Sequence, residues 1–247
     1  MNESKSVVTW QEELAKHAKA AAANERPQVS RVSLRGGTMT LMDQRIPNNE
    51  LMCVILASMM EHAYYPNRFD PMKPDAPDCF AFSETGIDMV PHEKAFKKQN
   101  ETCLGCPQNE WGSDKNSPSG KGKACKQKRK LLLMPSSALE NGSIKTCELA
   151  VLDVPVTSVK FWSNYVNALA TTEGRPAWAM VTNIKLEPDP RTQIKLSFRP
   201  AFPIGDEHLQ ELLDRATSSK DILEIPYEKT AEGLAPQTTA MQTGRKY

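Results

Sequence analysis

Histidine is scarce in this chain: 247 residues contain four, at positions 17, 62, 92 and 208. None stands in a His-Glu-x-x-His or nucleophile motif, and neither a Gly-x-Ser-x-Gly elbow nor a dinucleotide fingerprint occurs. The acids are scattered, without a paired metal-binding set. With no chemistry specified, a non-enzymatic role is the expectation. No apolar run approaches the ~20 residues that span a bilayer, so no membrane association is expected. After Lys5 the chain reads Val7-Val8-Thr9-Trp10 and then turns charged, with no apolar signal region. A cytoplasmic location follows as an expectation. Internal repeats are also missing.

Six cysteines are present, and four of them fall between positions 79 and 125. Reduced thiols are expected in the cytoplasm, so a cluster points to a metal before it points to disulfides. Cys103-Leu104-Gly105-Cys106 has the two-residue spacing that lets both thiolates of a tight turn face one ion, and Cys79 and Cys125 flank it. The expected site is one structural Zn2+ held by Cys79, Cys103, Cys106 and Cys125, with no open position. His92 competes for the place given to Cys79, and an iron–sulfur cluster is the lesser alternative. Cys53 and Cys147 lie in apolar, strand-like runs and read as core residues.

The net charge is +1, but its distribution is uneven. From Lys94 to Lys130 there are ten Lys/Arg against three acids, a local +7, so the remainder carries −6. This marks a basic surface. Lys115, Lys121, Lys123, Lys126, Lys128, Arg129 and Lys130 lie on or beside the Gly/Ser/Pro-rich loop Ser117–Lys123. Lysines on such a loop suit phosphate neutralisation. The Gly120-Lys121-Gly122-Lys123 run lacks the glycine spacing and Ser/Thr of a Walker motif. Aromatics nearby are Tyr64, Tyr65, Phe69, Phe80, Phe82 and Trp111. Of these, Tyr64, Tyr65 and Trp111 are the candidates for base stacking. Arg31 and Arg35 could extend the track along the first hairpin.

Periodicity predicts a helical arm over 1–28, a β-rich core over 29–230 with a zinc-binding insertion at about 66–128, and a disordered tail over 231–247. Within the core, Arg31–Met42 reads as a bent hairpin about Gly36-Gly37 and Leu51–Met60 as a buried strand. Lys130–Met134 and Ile144–Val151 read as paired strands about Asn141-Gly142. Ser158 is the expected N-cap of a helix bearing Trp162 and Tyr165. Ala177–Leu186 and Gln193–Phe198 form a second strand pair. A short helix from Asp206 is expected to face Leu209, Leu212 and Leu213 inward. The fold class is α+β, mainly β: about five or six strands in an oligonucleotide-binding-type barrel with peripheral helices.

The stretches Pro77-Asp78-Cys79-Phe80-Ala81, Cys103-Leu104-Gly105-Cys106-Pro107, Trp111-Gly112-Ser113 and Gly120-Lys121-Gly122-Lys123-Ala124-Cys125 resemble the zinc-containing single-stranded DNA-binding proteins of tailed phages. The layout is similar to that of the T4-type helix-destabilising proteins. The resemblance covers about residues 77–130 in motif and the rest in element order only. It implies a protein that coats displaced strands in DNA replication or recombination, without sequence specificity and with self-association along DNA. It also implies the four cysteines as zinc ligands and the basic residues from Lys115 to Lys130 as groove contacts. Replication or recombination proteins are the implied partners. The chain departs from many single-strand binders by ending Thr243-Gly244-Arg245-Lys246-Tyr247 and not in acids. The alternative is a zinc-stabilised regulator that binds a polymerase or another protein.

Overall fold

The computed structural model describes Trp10 and residues 13–14, 29–67, 76–117, 120–190, 192–225 and 227. The helical arm (Trp10, Glu13 and Leu14 excepted), Phe69 and the tail lie outside the described residues. Among the described residues the fold is mixed α+β, dominated by one nine-stranded sheet that curls into a half-barrel and is flanked by three helices. The strands are β1 Ser30–Ser33, β2 Thr40–Leu41, β3 Gln44–Arg45, β4 Glu50–Tyr64, β5 Cys79–Ser83, β6 Cys125–Pro135, β7 Ala150–Val154, β8 Met180–Asp189 and β9 Gln193–Pro203. The helices are α1 Ser137–Glu140, α2 Val156–Ala168 and α3 Asp206–Ser218. Strand order is β3-β2-β1-β7-β6-β4-β8-β9, with β5 added beside β4. No helix among the described residues is long and apolar enough to cross a membrane.

The fifteen-residue β4 organises the sheet. Along one edge it pairs with β6 over most of its length. Along the other, Glu50–Val54 pairs with β8 and Met60–Tyr64 with β5. A register shift between Ile55 and Ala57 marks a bulge, which bends the strand and changes which residues face each side. Each face of the sheet buries a core. On one side Leu131, Leu133, Ile184 and Leu196 pack against Trp162, Tyr165 and Leu169 of the α2 segment. On the other, Val54, Leu132, Met134 and Val181 pack against Ala138 of α1 and Leu212 and Ala216 of α3. Two buried faces explain why Leu131–Met134 is an unbroken apolar run and not an alternating one.

Several sequence expectations change. Among the described residues there are nine strands where five or six were expected, because β2 and β3 are only two residues long and β5 is embedded in the proline-rich segment. The strand after Asn141-Gly142 begins at Ala150, not Ile144, since α1 and a turn fill the connection. α2 begins at Val156 behind Pro155, so Ser158 is not its N-cap. Ser158 is fully buried and its Oγ instead accepts the Leu196 N–H at 2.8 Å, tying α2 to β9. Leu212 is buried as expected, whereas Leu213 is exposed.

Candidate functional site

The candidate site grows from the end of β4. Tyr64 pairs with Cys79 of β5 on one side and Cys125 of β6 on the other. Directly opposed residues of antiparallel strands share a face, so both thiols stand on the same side of the sheet. The intervening chain folds back to bring the other pair. Cys103 N–H donates to Met89 O at 2.8 Å, and Asn109 Nδ2 donates to Cys103 O at 2.9 Å. Gly105 turns the chain with φ 71°, a conformation that suits glycine, and Cys106 precedes a 3-10 turn over Pro107–Asn109.

All four cysteines line one cavity of about 20 Å3, together with His62, Tyr64 and Asn109. That is room for roughly one water-sized sphere. The six cysteines are all free thiols. Burial, then the neighbouring cysteines, pushes the Cys103 thiol up to about 11 and that of Cys125 up to about 12. Cys79 is raised mainly by burial. The donor set and the single-sphere enclosure fit a soft metal ion. Among the described residues, however, no three His, Cys, Asp or Glu side chains form a ready-made metal-binding group.

The cavity includes Cys79 and not His92. The His92 ring stacks on Phe80 at 5.1 Å, and its Nδ1 accepts the Lys94 N–H at 3.1 Å. His62, which sequence spacing did not single out, faces the cysteines from two positions before Tyr64. It is buried, its Nδ1 has no hydrogen-bond partner among the described residues, and burial lowers its pKa. The available signal was the period of two along β4, legible only once the register was known. Cys53 lies in the core beneath α2, and Cys147 packs against the core of the other face.

Strand alternation also sorts the basic strip. β6 reaches back to Cys125, so residues from Lys126 onward belong to a strand and not to a loop. Cys125, Gln127 and Arg129 face the cysteine side, while Lys126, Lys128 and Lys130 face the opposite side. There Lys130, only 4 % exposed, forms an ion pair with the fully buried Glu61. Lys128 reaches Glu61 at 3.1 Å and Asp153 at 3.4 Å. Tyr227 Oη donates to Glu61 at 2.5 Å. Lys130 Nζ also sits 4.8 Å from the Phe82 ring centroid, and Arg31 pairs with Asp153 at 3.5 Å. These charges hold the sheet together.

Elsewhere the charges are more accessible. Lys126 is exposed and paired with Asp114 at 2.5 Å. Lys123 Nζ donates to Asn109 Oδ1 at 3.2 Å and lies 5.1 Å from the Trp111 ring centroid. Trp111 is 77 % exposed, and Lys115, Lys121 and Arg35 are exposed too. Tyr64 and Tyr65 are both half-buried, Tyr64 at the cysteine cavity and Tyr65 beside Lys128 and Tyr227. The structure therefore brings Lys123 to Trp111 and to Asn109 of the cysteine cavity, leaves Lys115 and Lys121 exposed on the same segment, and draws Lys128 and Lys130 inward. Comparison with protein families, with curated proteins and with solved structures finds no match.

Proposed function

We propose that the protein binds single-stranded DNA without sequence specificity, coating displaced strands in replication or recombination. In this reading the curled sheet serves as an oligonucleotide-binding-type barrel. One structural zinc would be held by Cys79, Cys103, Cys106 and Cys125. Zinc would supply folding energy to a segment that has little core of its own, fastening residues 84–124 to the ends of β4, β5 and β6. The observation that carries the reading is the enclosure of four cysteines, distant in sequence, around one ion-sized cavity beside an exposed Trp–Lys surface. Trp111 offers a stacking face, and the exposed lysines offer phosphate neutralisation.

The test is fluorescence anisotropy of a labelled mixed-sequence single strand across a salt series, with a matched duplex as control. Binding that prefers the single strand and weakens steeply with salt supports the reading. Absence of binding at low salt overturns it.

A second reading, a zinc-stabilised regulator of a polymerase or another protein, draws on a different observation. Ile87, Val90 and Leu104 are exposed on the same segment, Leu104 by 84 %. A stoichiometric protein complex without DNA affinity would favour it.

A further inference from the structure

A second cavity, an open groove of about 500 Å3, runs between α2 and the bulged middle of β4. Its volume falls within the range of small-ligand sites. Trp162 and Trp178 give it aromatic walls, and Ser58, Ser163 and Asn167 bring hydrogen-bonding groups. Arg129 enters from β6, four residues beyond Cys125 on the same face of the strand.

The setting of Arg129 is unusual for a guanidinium. Nη1 donates to the Glu84 carbonyl at 3.0 Å, which pins the plane of the group. Nε is buried and has no hydrogen-bond partner among the described residues. No carboxylate among the described residues pairs with Arg129, and the nearby Glu84 side chain is taken by Lys220 at 2.8 Å. Arg129 is half-buried in the groove wall, and a bound anion would supply the counter-ion it lacks there. With Nη1 occupied and Nε out of reach of solvent, Nη2 remains to meet a phosphate oxygen.

We propose that this groove binds one nucleotide unit, with its phosphate on Nη2 of Arg129 and its base against the tryptophan walls. Serine hydroxyls and the Asn167 amide suit the mixed donors and acceptors of a base edge. The unit could come from a single strand or from a free nucleotide. The first source rests on the single-strand reading above; the second does not.

Two variants test the groove, each checked for native circular dichroism. Arg129→Gln keeps an amide for the Glu84 carbonyl but removes the fork, and Ser163→Trp fills the groove while leaving Arg129 intact. With a labelled oligothymidylate, Arg129→Gln should weaken binding about tenfold and lower the salt slope by about one. Ultraviolet crosslinks should map to the Trp178 peptide in the wild type and disappear in Ser163→Trp. If both variants bind as the wild type does and crosslinks map elsewhere, the groove is not a strand site, although single-strand binding stands. If the wild type binds no oligonucleotide, the function proposed above fails. Saturation-transfer NMR with dTMP and dAMP then decides the groove: a signal lost in Arg129→Gln supports it, and no signal overturns it.

Discussion

Glu61 and His62 stand side by side on β4 and face opposite sides of the sheet. Glu61 collects Lys128, Lys130 and Tyr227, while His62 turns toward the four cysteines. One dipeptide thus separates a buried ion-pair cluster from the candidate metal cavity.

Removing one member of that cluster strands its partner. Lys130→Met is expected to destabilise the fold by about 3 kcal/mol, because Glu61 loses a buried counter-ion. Urea unfolding measures it. Adding Glu61→Gln to Lys130→Met should recover part of the loss, since the uncompensated charge is then gone.

Tyr227 supplies a pH signature. Burial first, then the adjacent Glu61, pushes its phenol far above the ordinary value of 10. The folded chain therefore keeps a proton that the unfolded chain releases, and stability falls as pH rises above about 10. Absorbance at 295 nm should show Tyr227 ionising only as the protein unfolds. Tyr227→Phe should make alkaline unfolding less steep in pH.

The zinc assignment predicts one equivalent of zinc per chain by elemental analysis, with no iron. Cys106→Ser should lose the metal and expose residues 84–124 to proteolysis, and a strong chelator should do the same to the wild type. Cys53→Ala, remote from the cavity, should retain the full zinc content.

Trp111 separates binding from stability. Because the ring is largely exposed, Trp111→Ala should leave the unfolding midpoint unchanged while weakening single-strand binding by about 1–3 kcal/mol. Replacing Lys115 and Lys121 with alanine should reduce the salt slope by up to about two phosphate contacts' worth, again with the fold intact.

Ser158→Ala should cost about 1–3 kcal/mol by leaving the buried Leu196 N–H without an acceptor. Thermal unfolding checks it.

What the sequence revealed depended on the range of the signal. The β8–β9 hairpin and α3 were readable because turn residues and apolar spacing lie within a few positions of each other. The Cys-x2-Cys turn was readable for the same reason. The roles of Lys128 and Lys130 were not. A lysine in a basic run carries no mark of the Glu61 opposite it, and only the β4–β6 register reveals the pairing. Ser158 was similarly ambiguous: a serine near a helix start resembles a cap until the Leu196 N–H is seen to reach it. The Arg129 groove needed the bulge at Ile55–Ala57, which has no local sequence signature.

β1 lies parallel to β7, with Ser30 opposite Ala150, almost half the chain away. During synthesis the first strand of the sheet therefore emerges long before its main partner exists. It must stay unpaired on that side until the loop-rich cysteine segment and β6 have followed it out. Closure of so long a loop is entropically unfavourable and tends to be slow. Completion of the half-barrel is thus placed late in the life of the nascent chain, after the whole cysteine segment has been made.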